Sequence, residues 1–188
     1  KKLIARKARP LVSNGDTVFL DGSTTSYWVA RELQGLRLTV LTNNLPIINL
    51  LADQPSIHLI SIGGIYSVQD EAFFGEMSLR SLENRYVDCA FLSCRSVSLE
   101  TGLMESRENL ATLRREVVRH ADRTYAVIDH TKFGRSSFLE ICGFEALTAL
   151  ITDQPLAEEW HERVEGCGCR LIEGSGVAAD AHGEDASD

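Results

Sequence analysis

The 188 residues, 44% hydrophobic and 24% charged with a formal net charge of −8, have the profile of one globular domain and exclude a disordered, collagenous or disulfide-stapled chain. Gripping nucleic acid needs a concentrated positive surface, so the acidic balance argues against DNA binding by this body itself. No apolar stretch is long enough to span a bilayer, no secretory signal is evident, and the five cysteines are odd in number and scattered, so no membrane and a reducing, cytoplasmic location are expected.

The charge is uneven. Lys1, Lys2, Arg6, Lys7 and Arg9 crowd the start, whereas no Lys or Arg follows Arg170. A basic leading segment without an initiating methionine reads as the cut end of something longer, a solvated helix face being the alternative. Pro10 is expected to kink any helix there.

Apolar runs rich in β-branched residues recur at 17–20, 38–41, 57–62, 87–92, 125–128 and 147–151, with helix-period segments between most of them. That alternation predicts parallel strands joined by crossover helices, an α/β fold. Ligands of such sheets bind beyond the carboxyl ends of the strands, so the turns found there are the candidate sites.

The first run stops at Asp21 Gly22 Ser23 Thr24 Thr25 and continues into a helix-like segment from Ser26 to Leu33. Free backbone N–H groups, hydroxyls and the positive end of a helix dipole would meet there, a cradle for phosphate or carboxylate. Simple capping of the helix by Ser23 or Thr24 is the competing reading. The second run ends at Thr42 Asn43 Asn44, which can donate and accept hydrogen bonds, with Pro46 expected in a helix's first turn. The third ends at Gly63 Gly64, where the main chain can approach a ligand or simply turn.

After the fourth run, Ser93 Cys94 Arg95 brings a guanidinium suited to forked contact with an anion. The helix predicted over 107–121 has Leu110, Leu113, Val117, Val118 and Ala121 on one face and Ser106 at its N-cap. Arg114 lies on that inward face, where it either serves a site or snorkels to solvent. After the fifth run, Asp129 could accept from sugar hydroxyls and Lys132 could pair with an anion. A last strand is expected near 169–172, followed by an acidic segment of low hydrophobicity. Cys167 and Cys169 lack a second pair at zinc spacing, so no metal is expected.

Together, Gly22 to Thr25 with Arg95 and Lys132 would meet a phosphate, and Asp21, Thr42, Asn43 and Asn44 would meet hydroxyls. A phosphosugar fits both halves.

The ordered set Gly15 to Thr25, Thr42 to Asn44, Gly63 Gly64, Asp88 to Cys94, Gly102 Leu103 and Asp129 to Gly134 resembles the C-terminal sensor domain of DeoR-family transcriptional regulators over residues 1–153. The resemblance implies a Rossmann-like, mostly parallel sheet flanked by helices, related to ribose-5-phosphate isomerase and coenzyme A transferases. It further implies a sensor of a phosphorylated sugar that binds without turnover or cofactor, a homodimer or homotetramer, and an N-terminal winged helix-turn-helix domain missing from this chain. On that reading residues 1–12 are the remnant of a linker helix, 13–173 the sensor, and 174–188 an acidic tail expected to be disordered.

Carried over, the effector pocket comprises Asp21, Gly22, Ser23, Thr24, Thr25, Thr42, Asn43, Asn44, Gly63, Gly64, Arg95, Asp129 and Lys132, with no catalytic residue. The chain departs from the family pattern at Arg95 and Ser96, where lysine and glycine are usual, at Leu110, where glutamate is common, and at Arg114, where lysine is usual. Two alternatives remain at this level. One is an aldose–ketose phosphate isomerase on the same scaffold, with Asp88, Asp129 and Lys132 as the available acid–base groups. The other is a purely structural oligomerisation module.

Overall fold

A computed structural model of the protein describes residues 1–174. The chain opens with α1 (Lys2–Ala8) and a 3-10 turn (Arg9–Leu11), followed by β1 (Thr17–Leu20), α2 (Thr24–Leu33), β2 (Leu38–Thr42), α3 (Leu45–Leu51) and β3 (Ile57–Ser61). A hairpin of β4 (Ile65–Ser67) and β5 (Ala72–Phe74) leads through α4 (Glu76–Arg80) into β6 (Val87–Leu92). Next come β7 (Ser96–Ser98), β8 (Gly102–Glu105), α5 (Glu108–Arg119), β9 (Ala121–Val127), a 3-10 turn (His130–Lys132) and β10 (Leu139–Cys142). A third 3-10 turn (Phe144–Ala146), β11 (Ala149–Ile151), α6 (Glu158–Gly166) and β12 (Arg170–Ile172) complete it.

Seven strands form one parallel sheet in the order β12-β11-β9-β6-β1-β2-β3. Successive side chains of a strand point to opposite faces, and the core divides accordingly. Val18, Leu20, Cys89 and Phe91 pack under α1, α2 and α3, while Phe19, Ala90 and Leu92 pack under α4 and α5. The chain builds outward from β1 to β3 on one side, then restarts at β6 on the other. The order therefore reverses between β1 and β6, which opens a crevice at their carboxyl ends.

Several boundaries differ from expectation. The first helix ends at Ala8, and Pro10 sits in a separate 3-10 turn rather than at a kink, because proline cannot donate to a continuing helix. Ile4, Ala5 and Ala8 are fully buried, so this basic helix is built into the core. The N-cap of α5 is Arg107, not Ser106, and the helix stops at Arg119, with Ala121 already in β9. The start of β9 was missed because Ala121–Arg123 is only partly buried and carries no apolar run. The small antiparallel sheet β10-β8-β7 was not anticipated either. The acidic tail expected from 174 onward lies, Gly174 apart, outside the described residues. Among those residues no helix is long and apolar enough to cross a membrane.

Candidate anion-binding site at the sheet crossover

β1 delivers Asp21 and Gly22 directly into Ser23, the N-cap of α2, whose Oγ accepts from the Ser26 N–H at 3.1 Å. Capping is thus real, and it is also what aims the first turn of α2 at the crevice. The N–H groups of a first turn have no acceptor within their own helix. Gly22 is needed for closeness, since a Cβ there would lie 3.1 Å from that of Ala72.

Below this turn is a buried polar framework. Asp21 is 1% exposed. Its Oδ1 accepts from Ser26 Oγ at 2.6 Å, and its Oδ2 accepts from Ser93 N–H at 2.9 Å and from Arg114 Nε at 2.9 Å. Arg114, also buried, donates through Nη1 to Glu105 Oε2 at 2.5 Å. Burial works against the guanidinium's charge, but Asp21 and Glu105 outweigh it and hold Arg114 above its ordinary value. Arg114 does not snorkel; it ties the middle of α5 to the ends of β1 and β8.

Above the framework, Gly22, Ser23, Ser93, Arg95, Arg114 and Lys132 line a cavity of about 200 Å³, to which Arg107 and Glu105 also contribute. Lys132 Nζ donates to Ser93 Oγ at 2.9 Å and to the Cys94 carbonyl at 2.7 Å. Arg107 is ion-paired with Asp70, and Arg114 with Asp21 and Glu105. Among the described residues neither Arg95 nor Lys132 has a carboxylate partner. A chain of net charge −8 thus holds surplus cations at the mouth of its sheet, facing a helix N-terminus. The arrangement is complementary to a small anion. Burial pushes the Cys94 thiol up to about 12 despite nearby Lys132 and Arg114, so it is no nucleophile.

A second cavity, of about 580 Å³, begins on the other side of Gly22 and Ser23. It runs between α2 and α3 past Tyr27, Trp28, Asn44 and Leu50. Thr24 lines it too, with its Oγ1 accepting from Lys1 Nζ at 2.9 Å.

The structure therefore brings Gly22, Ser23, Arg95 and Lys132 together around one cavity, and Gly22, Ser23, Thr24 and Asn44 around the next. The other expected residues do different work. Asp21 has its oxygens taken by protein donors, so hydroxyl recognition by it is corrected to positioning of Arg114 and Ser93. Thr42 is fully buried, donates from Oγ1 to the Leu20 carbonyl at 2.7 Å and accepts from Asn44 N–H at 3.1 Å. Asn43 and Asn44 bind the β4–β5 hairpin, donating to the carbonyls of Phe73 at 2.9 Å and Glu71 at 3.3 Å, and Asn44 caps α3. Thr25 is buried and lines neither cavity.

Gly63 and Gly64 also line neither. At φ +138°, Gly64 has no room for a Cβ against the Phe74 carbonyl and the Ser78 hydroxyl, so it serves a close chain approach, whereas a Cβ on Gly63 would meet nothing within 4 Å. Asp129 accepts from the Thr131 hydroxyl away from the cavities. Asp88 stands near the start of β6, where its Oδ2 accepts from Thr17 N–H at 2.6 Å. Five residues of strand, roughly 16 Å, separate it from Ser93.

Sequence reasoning missed Glu105, Arg107 and Asp70. The available signal for Glu105 was an apolar Gly102–Met104 run ending at a carboxylate within reach of an inward arginine. Among the described residues no group of three or more His, Cys, Asp or Glu side chains is placed to hold a metal.

A family model described as the DeoR C-terminal sensor domain matches residues 1–154. The uncharacterized HTH-type transcriptional regulator YulB of Bacillus subtilis is 35% identical over 156 residues, 83% of this chain and 60% of that protein. The L-fucose operon activator of Haemophilus influenzae is 29% identical, covering 88% of this chain and 66% of the activator. The lactose phosphotransferase system repressor of Staphylococcus aureus is 34% identical, covering 88% of this chain and 64% of the repressor. The chain thus spans about three-fifths to two-thirds of the length of these relatives. Among solved structures, ribose 5-phosphate isomerase A from Neisseria gonorrhoeae superposes with a TM-score of 0.51 at 13% identity, over 72% of this chain and 52% of that one. eIF2B beta from Chaetomium thermophilum gives 0.54 at 13% identity, over 88% and 51%. At these identities the likeness concerns the fold alone.

Proposed function

Because the chain belongs to the DeoR C-terminal sensor-domain family, we propose that it is the effector-binding part of a transcriptional regulator of carbohydrate use, and that its ligand is a phosphorylated sugar. The observation that carries this reading is a pair of cations, Arg95 and Lys132, that have no carboxylate partner among the described residues and stand across a small cavity from the first turn of α2. A phosphate seated there would accept from Lys132, from Arg95 and from the N–H groups of the α2 N-terminus, each a charge-assisted contact. The names of the relatives, an L-fucose operon activator and a lactose phosphotransferase system repressor, support the sugar class.

Binding, not turnover, is the activity. Isomerisation of a sugar phosphate needs a carboxylate free to take a proton. Asp21 and Glu105, the carboxylates beside the cavity, are both held by Arg114, and Asp88 lies at the far end of its strand.

In the whole protein a helix-turn-helix domain would precede α1, and the regulator would act in the cytoplasm as a homodimer or homotetramer on a symmetric operator. The effector would shift DNA affinity by binding two subunit arrangements with different free energies. α1 would carry that shift, since Lys1 reaches Thr24 at the cavity rim and Ile4, Ala5 and Ala8 are sunk in the sensor core. A thermal-shift screen of phosphorylated and free sugars tests the reading. A ligand at a hundred times its Kd stabilises by about 2.7 kcal/mol. Phosphosugars should raise the Tm and the free sugars should not; a flat response across the panel would leave only a structural module.

A further inference from the structure

Resting on that reading, we propose that the cavity between α2 and α3 is a second subsite, and that it makes the effector a glycoside phosphate, a sugar phosphate carrying a second uncharged ring, rather than a lone hexose phosphate. The two cavities divide the ligand by size and polarity. The cationic one, about 200 Å³, is below the roughly 300–1,000 Å³ of small-molecule sites and suits a phosphate with the carbon it esterifies. The neighbouring one, about 580 Å³, falls inside that range and is more than a single hexose remainder requires.

Its walls differ in kind. Tyr27, Trp28, Pro46 and Leu50 supply apolar surface suited to the C–H faces of a sugar ring, and Asn49 and Glu71 stand among them as partners for hydroxyls. Three cations stand near its walls and rim but do not line it. Lys2 and Arg31 lie 4.8 and 5.0 Å from the centroid of the Trp28 ring, which fixes that wall, and Lys1 is bound to Thr24. Among the described residues no Lys or Arg lines the cavity, so its lining favours an uncharged group over a second phosphate.

The cavities also adjoin. Both are lined by Gly22 and Ser23, and the Arg107–Asp70 ion pair links a residue of the first to a residue of the second. On this proposal one ligand crosses the Gly22–Ser23 turn, with its phosphate against Lys132 and its uncharged body beside Trp28.

The test is calorimetric titration of the chain with glucose 6-phosphate, galactose 6-phosphate, and the disaccharide 6′-phosphates cellobiose 6′-phosphate and lactose 6′-phosphate, using wild type, Asn49→Trp and Lys132→Ala. Asn49 is exposed on α3, so the tryptophan fills the cavity without disturbing the core. At least one disaccharide phosphate should bind tenfold or more tightly than its parent hexose phosphate. Asn49→Trp, which narrows the cavity that takes the sugar body, should erase that gain by weakening the disaccharide phosphate more than the hexose phosphate, and Lys132→Ala should weaken both. Hexose phosphates that bind through Lys132 with no gain from the second ring, or a gain untouched by Asn49→Trp, would overturn the subsite and leave the phosphosugar reading intact. Binding of every ester that ignores Lys132→Ala, or no binding at all, would overturn both.

Discussion

Arg114, in the middle of α5, reaches across the crossover crevice to Asp21 at the end of β1, with Nε and Nη2 each 2.9 Å from the same carboxylate oxygen. Its remaining arm holds Glu105, so one buried cation fixes the floor of the candidate site. Removing it would strand two carboxylates out of water. Arg114→Met should cost about 3–5 kcal/mol in denaturant unfolding followed by circular dichroism. A loss under 1 kcal/mol would mean that the framework is not a determinant of the fold.

Among the described residues Lys132 hydrogen-bonds to neutral groups, Ser93 Oγ and the Cys94 carbonyl, and pairs with no carboxylate, which leaves its charge for a ligand. A hydrogen bond to a charged group contributes about 1.5–3 kcal/mol, which is roughly a 10- to 100-fold change in Kd. Lys132→Ala should weaken the phosphorylated sugar by that factor and barely alter any residual affinity for the free sugar. Equal losses for both would remove Lys132 from the phosphate site.

The 3-10 turn that carries Lys132 is anchored by Asp153, which accepts from His130 N–H at 2.8 Å and pairs with His130 Nδ1 at 3.2 Å. Partial burial opposes ionisation of Asp153, but the His130 hydrogen bonds prevail and hold its carboxyl below the usual range. A carboxylate with a lowered folded value stabilises above its unfolded value, near pH 4, and that stabilisation is lost as pH falls through the folded value. Asp153→Asn should therefore lower stability at pH 7 by less than about 1 kcal/mol, because the pair is solvent-screened, and the difference should vanish in strong acid. Urea unfolding at pH 7 and pH 2.5 measures both. A difference that persists at pH 2.5 would assign the effect to packing.

Burial pushes the thiols of Cys89, Cys94, Cys142 and Cys169 up to about 12. Thiolates are the reactive species, so these four should resist iodoacetamide in the native chain. Cys167, only partly buried, should be alkylated first, with the others following on unfolding, as read by mass spectrometry of tryptic peptides. Native labelling of Cys94 would show that the crevice opens.

The parallel sheet was legible because its strands are near-continuous apolar runs, such as Val87–Leu92, and because each ends at a turn rich in Gly, Ser, Thr or Asn. The convergence of Gly22, Ser23, Arg95 and Lys132 on one cavity was legible for the same reason: all four follow strand ends. The hydroxyl half was misread. Turn chemistry in sequence does not reveal which polar side chains the protein itself will consume: Asp21 and Thr42 are consumed by Arg114 and the Leu20 carbonyl, and the Nδ2 of Asn43 by the β4–β5 hairpin. Glu105 and Asp70 were harder to see because β8 is short and Asp70 lies in the turn of the β4–β5 hairpin, with no strong period around either. Arg114 was noticed as an inward charge, but its partner lies 93 residues away in the chain and only the fold brings them together.

The central claim is that an anion binds at the crossover between β1 and β6, and a crystal structure of the chain with the phosphosugar giving the largest thermal shift tests it most directly. The ester phosphate should lie within hydrogen-bond distance of Lys132 Nζ and of N–H groups in the first turn of α2. A phosphate bound elsewhere, with that cavity holding only solvent, would contradict the account.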